Sequence, residues 1–245
     1  MASISLALST KRAGTCPTAG VSSRLSISPC PDLSAISSRT RIKICGLTRP
    51  EDMDAAIAAG ADAVGLVFYG PSPRFVDDDR AVALAARVPP FVTRVGLFVN
   101  ADPVDVRRVL AAVPLELLQF HGDEDDAYCR QFGRPFIKAV RMRPEVDLLE
   151  SARSFSSARA LLLDAYVEGY GGGGQVFDWG LIPRNLPLPL ILSGGLHPDN
   201  VQAAVRGVQP WAVDVSSGVE SAKGIKDAAR IDAFVAAVAA ADKAE

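Results

Sequence analysis

The 245-residue chain reads as one α/β domain, a (β/α)8 barrel over residues 41–245, behind an irregular extension over residues 1–40. Three observations predict it. From Arg41 onward, short apolar runs alternate with amphipathic stretches. Several of those runs are apolar at consecutive positions, as strands covered on both faces are. Six of them end in residues that carry chemistry, and barrels place their sites at the carboxyl ends of the strands.

The elements follow in order. The expected strands are 41–45, 63–68, 93–99, 116–120, 136–140, 160–164, 189–193 and 211–216. After the first, Thr48-Arg49-Pro50-Glu51 reads as a capping box, with Thr48 as N-cap and Glu51 at N3. After the third, Asp102-Pro103 sets proline at a first helical position. Val106, Val109, Leu110 and Val113 then share one helical face. His197-Pro198 repeats the proline start after the seventh run. Ile231, Phe234, Val235 and Val238 give the last helix its apolar face. Eight strand–helix units in about 200 residues match the size of such a barrel. A doubly wound open sheet is the alternative. It would usually carry a GxGxxG turn after its first strand, where this chain has Cys45-Gly46-Leu47-Thr48.

Composition narrows the function. Hydrophobic residues make up 49% and the net charge is −2, so neither a basic face for nucleic acid nor an acidic solvating tail is implied. The apolar runs are strand-length, too short for a membrane helix. Cys16, Cys30, Cys45 and Cys129 form no CxxC pair and only two histidines exist. That argues against a Cys/His metal site and for a reduced, cytoplasmic protein. Residues 1–40 hold 14 Ser or Thr, four Lys or Arg and one acid, Asp32. The extension is either disordered or a transit peptide, in which case the plastid stroma replaces the cytoplasm.

The strand ends supply the candidate site. Cys45 closes strand 1, and is either a small buried hydrophobe or a reactive thiol. Asp164 closes Leu161-Leu162-Leu163, where a buried acid is costly unless paired or used. It is either a general acid or a loop cap. Arg74 follows strand 2, and is either an exposed solvated side chain or a fork for a carboxylate. His121 follows strand 4, and is either a further acid/base group or satisfied by backbone. Gly194-Gly195 and Ser216-Ser217-Gly218 follow strands 7 and 8. Such turns bring backbone N–H groups close to an anion, and barrels often hold phosphate there. Asp214 lies within strand 8. Four consecutive glycines, Gly171 to Gly174, give the 166–175 loop the freedom of a lid, or of an inert connector.

The same residues resemble a known family. Lys43-Ile44-Cys45-Gly46-Leu47-Thr48 is similar to the opening motif of phosphoribosylanthranilate isomerases. The likeness continues through Gly65-Leu66-Val67-Phe68, Ser72-Pro73-Arg74, Val95-Gly96-Leu97-Phe98-Val99 and Gln119-Phe120-His121-Gly122. It takes in Leu161-Leu162-Leu163-Asp164, Phe177-Asp178-Trp179, Gly194-Gly195-Leu196 and Val213-Asp214-Val215-Ser216-Ser217-Gly218-Val219-Glu220. It departs at Phe120, Gly173, Gln175 and Ser193, where the family often has other residues.

The resemblance implies an Amadori rearrangement in L-tryptophan biosynthesis. N-(5-phosphoribosyl)anthranilate becomes 1-(2-carboxyphenylamino)-1-deoxyribulose 5-phosphate, with no metal or organic cofactor. It implies Cys45 as base, its thiol titrating near the working pH, and Asp164 as acid. Arg74 would hold the anthranilate carboxylate. Gly194, Gly195, Ser216, Ser217 and Gly218 would hold the phosphate. His121 would contact substrate, and Asp214 would touch sugar hydroxyls or only orient neighbours. Partners are the phosphoribosyl substrate and at most a second copy of the chain, with no nucleic acid and no membrane. Histidine-pathway isomerases use aspartates at the ends of strands 1 and 5. Here those strands offer Cys45 and Lys138. Indole-glycerol-phosphate synthases need an early Lys/Glu pair, whereas strand 2 here ends in Phe68-Tyr69-Gly70. A non-catalytic anion-binding barrel and a thiol redox protein are the readings of another class. The second lacks a resolving cysteine near Cys45 in sequence.

Overall fold

A computed structural model describes residues 39–165 and 176–243. The expected lid, 166–175, and nearly all of the extension lie outside the described residues. Eight parallel strands close into a barrel in sequential order. They are β1 (Arg41–Cys45), β2 (Ala63–Val67), β3 (Thr93–Phe98), β4 (Leu117–Phe120), β5 (Phe136–Met142), β6 (Leu161–Ala165), β7 (Leu190–Leu192) and β8 (Ala212–Val215). Each falls within a residue or two of its expected run. The last strand pairs with the first, Lys43 standing in register with Asp214.

The helices are α1 (Pro50–Ala58), α2 (Asp78–Ala85), α3 (Pro103–Ala112), α4 (Asp126–Arg130), α5 (Leu148–Ser154), α6 (Pro198–Val208) and α7 (Ala228–Asp242). The described part of the β6–β7 connection holds a 3-10 turn, Trp179–Leu181, where an eighth helix was expected. A small hairpin, β9 (Glu220–Ala222) with β10 (Ile225–Lys226), follows β8.

Strand alternation builds two layers. Ile42, Ile44, Val64, Leu66, Phe98, Leu118, Phe120, Val213 and Val215 face the helices, where α7 adds Ile231, Phe234 and Val238. Fully burying each such side chain contributes roughly 1.5–3 kcal/mol. The opposite positions face the barrel axis. Ile137, Ala139, Ala160, Leu162, Ile191 and Ala212 fill its lower part. Cys45, Val67, Leu97 and Val99 form an apolar wall nearer the carboxyl ends of the strands. Among the described residues, no helix is long and apolar enough to cross a membrane.

Helix starts bear out two of the three expected signals. Asp102 caps α3, its side chain accepting from Val104 N–H at 2.7 Å, with Pro103 next. At α6, His197 caps with Pro198 following, and Asn200 answers it in a reciprocal box. The expected box at Thr48 does not form. Arg49 is the N-cap of α1 and makes no side-chain cap. Thr48 Oγ1 donates instead to Gly224 O, at 2.6 Å. A contact from the β9–β10 turn thus takes the hydroxyl that local sequence assigned to the helix.

Candidate active site

A cavity opens at the carboxyl ends of the strands, where barrels place their sites. Cys45, Arg74, His121, Asp164, Gly194, Gly195, Asp214, Ser216 and Ser217 all line it. Gly218 does not. A Cβ there would stand 1.9 Å from Leu196 O, so this glycine lets the turn after β8 press against the turn after β7.

Cys45 and Asp164 reach the cavity because both occupy axis-facing positions at the last turns of β1 and β6. Cys45 is buried, 4% exposed. Burial pushes its thiol above the ordinary thiol range; the nearby Lys43 ammonium opposes that, Asp214 adds to it, and Lys226 opposes it more weakly. The expectation of a thiol titrating near the working pH therefore meets a pocket in which the protonated thiol is the resting form.

Lys43 and Asp214 form a buried ion pair under the thiol, Nζ to Oδ1 at 2.7 Å. Burial works against the Lys43 charge, but Asp214 and Cys45 outweigh it and raise its pKa. Ser193 Oγ donates to the other Asp214 oxygen at 3.1 Å. Both oxygens of Asp214 are thereby engaged from within the protein.

Arg74 is buried rather than solvated. Its Nε donates to Glu220 Oε1 at 2.6 Å and Nη2 to Oε2 at 2.9 Å. Gly46 makes this possible. Its φ is +75°, and a Cβ would lie 2.5 Å from Arg74 Cδ, so the guanidinium stem crosses bare backbone. Lys226 reaches the same carboxylate, Nζ to Glu220 Oε1 at 2.9 Å, and donates to Ser216 O at 3.0 Å. Ser216 Oγ donates in turn to Cys45 O, at 3.0 Å. Burial raises and the two cations lower the Glu220 pKa, with a net fall. Burial lowers the Lys226 pKa against the pull of Glu220.

His121 is not satisfied by backbone through its ring. Nε2 lies 3.1 Å from Asp164 Oδ2 and Nδ1 lies 2.9 Å from Gln119 Nε2. Its loop is pinned from behind. Lys138 points away from the axis and donates to Gly122 O at 2.6 Å and to Glu124 Oε2 at 2.9 Å. Glu124 also accepts from Asn100 N–H at 2.7 Å. The Gly194-Gly195 turn has φ of +79° and +64°, a geometry that L side chains rarely adopt.

A family model described as N-(5'-phosphoribosyl)anthranilate (PRA) isomerase matches residues 42–237. The chain belongs to this family. The isomerase of Dechloromonas aromatica is 66% identical over 205 residues, covering 84% of this chain and 99% of that protein. A crystal structure of a phosphoribosyl anthranilate isomerase in complex with reduced 1-(o-carboxyphenylamino)-1-deoxyribulose 5-phosphate is 40% identical. It has a TM-score of 0.74 and covers 82% of this chain and 99% of that one. A monomeric form of the dimeric isomerase from Thermotoga maritima is 38% identical, with a TM-score of 0.73 and coverage of 82% and 99%.

Sequence alone gives no part to four residues of this isomerase's site: Lys43, Gln119, Glu220 and Lys226. Lys43 carried a signal, since a lysine between Ile42 and Ile44 in a doubly covered strand needs a counter-charge. Glu220 and Lys226 sit on strands of three and two residues, too short for periodicity to show.

Proposed function

We propose that Cys45 and Asp164 are the base and acid of the Amadori rearrangement carried out by this isomerase in tryptophan biosynthesis. The observation that carries the reading is their placement on β1 and β6, lining one cavity. Asp164 protonates the furanose ring oxygen of N-(5-phosphoribosyl)anthranilate, and the C1′–O bond opens to a Schiff base. The iminium acidifies the C2′ proton, which Cys45 removes as thiolate once its own S–H proton has passed to solvent. The enolamine then tautomerises to the ketone of 1-(2-carboxyphenylamino)-1-deoxyribulose 5-phosphate.

Burial disfavours the Cys45 thiolate, and Lys43 is the foremost group opposing that effect. Glu220 takes the Nε edge of Arg74, which leaves the outer Nη edge to receive the anthranilate carboxylate. Backbone N–H groups of the Gly194-Gly195 and Ser216-Ser217 turns receive the phosphate, with Gly218 keeping the two turns together. Asp214, fully engaged by Lys43 and Ser193, orients neighbours rather than touching sugar. His121 belongs with Asp164 rather than with substrate. Complementation of a tryptophan auxotroph lacking only this step tests the activity. Failure by well-expressed protein would instead favour an anion-binding barrel.

The domain boundary near residue 40 and residence in the cytoplasm, or in the plastid stroma if the extension is a transit peptide, belong to the same reading. N-terminal sequencing of the native protein decides between them. Between monomer and homodimer, the dimeric isomerase of Thermotoga maritima, 38% identical, favours the homodimer, and the exposed Phe91 is a surface residue at which a contact between copies can be probed. Light scattering of the purified protein and of Phe91→Ser tests this; a monomer in both cases overturns it.

A further inference from the structure

We propose that Gln119 is a positioning residue that fixes the tautomer of His121, so that His121 presents Nε2–H to Asp164 Oδ2 and leaves Oδ1 to carry the acid's proton. The inference rests on Asp164 being the general acid. Gln119 is 1% exposed and lines the cavity floor. Its Nε2 is placed on His121 Nδ1, at 2.9 Å, while its Oε1 is buried with no hydrogen-bond partner among the described residues. Leaving a buried carbonyl oxygen unsatisfied is costly. Reversing the amide would move that cost to the nitrogen and change the chemistry beyond it.

With the amide N–H on Nδ1, the imidazole proton must sit on Nε2. Nε2–H then points at Asp164 Oδ2, 3.1 Å away. It stabilises the carboxylate that remains once the acid has given up its proton. With the amide reversed, Oε1 would demand a proton on Nδ1, and the Nε2 lone pair would face Asp164. Against the carboxylate that arrangement is repulsive. Against the acid it draws the proton onto Oδ2 and toward the histidine, away from substrate. Asp164 Oδ1 faces the other way, toward the turn after β7: a Cβ on Gly194 would lie 3.0 Å from it. The proton therefore belongs on Oδ1, the oxygen that His121 does not meet, provided Gln119 holds the tautomer. The balance is simple. Asp164 Oδ1–H passes its proton to the ring oxygen, the C1′–O electron pair goes to that oxygen, and Nε2–H keeps its proton throughout.

The test is 15N NMR of the wild-type isomerase with labelled histidine, above the range in which imidazole is charged. A protonated Nε2 and an unprotonated Nδ1 at His121 are expected; a protonated Nδ1 overturns the proposal. Gln119→Met keeps the side-chain shape and removes both polar ends. It should lower kcat by roughly tenfold or more, a part of the ~10²–10⁴-fold that a positioned acid contributes, with KM unchanged. An unchanged kcat, or a rise in KM alone, overturns the positioning role. Asp164→Asn separates the two levels. Full turnover there removes the acid on which the inference rests, whereas loss of turnover there with a protonated Nδ1 in the wild type removes Gln119 alone.

Discussion

Gly65 stands beside Cys45 in the β1–β2 ladder and leaves the space that the thiol fills: a Cβ at Gly65 would lie 2.8 Å from Cys45 Sγ. No real Cβ tolerates that distance, so Gly65→Ala must move the thiol or the strand. Overpacking of this kind costs about 1–3 kcal/mol. Turnover should fall well beyond what that loss explains, with KM little changed. Steady-state kinetics beside a urea titration will show it; normal kcat in a folded Gly65→Ala protein would mean the thiol's position is irrelevant to the reaction.

Cys45→Ser and Asp164→Asn should each lower kcat by about 10²–10⁴-fold, the usual contribution of a positioned acid or base. KM should change modestly, because neither group is assigned to ground-state binding. Full activity in both variants ends the proposed mechanism.

The Arg74–Glu220 pair predicts a split between binding and stability. Arg74→Ala should mainly raise KM. Glu220→Gln leaves Arg74 and Lys226 buried against a neutral amide. Breaking such a pair costs about 3–5 kcal/mol, readable as a lower urea midpoint, and KM should rise as the guanidinium loses its anchor. An unaltered KM in both variants would count against carboxylate binding at Arg74.

Lys43 is the largest influence opposing the burial that raises the Cys45 thiol. Its removal therefore moves the thiol further up. In Lys43→Met, alkylation of Cys45 by iodoacetamide, followed by mass spectrometry as a function of pH, should begin at higher pH than in the wild type. The double variant Lys43→Met/Asp214→Asn should show the same direction with less loss of stability, since it strands no carboxylate. Onset at unchanged or lower pH would exclude Lys43 as the activating charge.

Away from the site, burial pushes Cys129 from 9.0 up to about 12. A group whose folded pKa is raised adds stability that is complete below its unfolded value and is lost as pH climbs. Stability should decline between about 9.0 and about 12, and Cys129→Ala should flatten that decline in urea midpoints. Tyr128, also raised to about 12, keeps a residual slope. An unchanged slope in Cys129→Ala would assign the decline elsewhere.

Most of the barrel was legible because its strands are covered twice: Ile44, Val64 and Leu118 face helices while their neighbours face the axis. Cys45, Arg74 and Asp164 were legible because each ends or follows such a run. What stayed hidden depends on contacts distant in sequence. Thr48 was read as a cap because its hydroxyl's true acceptor, Gly224 O, is 176 residues away. Arg74 was read without its anchor because Glu220 lies 146 residues on. Gln119 stands two residues before His121 in sequence, but only the fold shows which ring nitrogen its amide meets.

Closure of β1 on β8 also orders events during synthesis. Lys43 leaves the ribosome 171 residues ahead of Asp214, and Lys226 follows later still. At the usual rate of roughly 5–20 residues per second, that wait lasts roughly 9–34 s. Throughout it the nascent chain carries a strand whose lysine has no counter-ion and whose thiol has no pocket. An unfinished barrel therefore lacks both the Lys43–Asp214 pair and the wall of Val67, Leu97 and Val99 against which Cys45 packs.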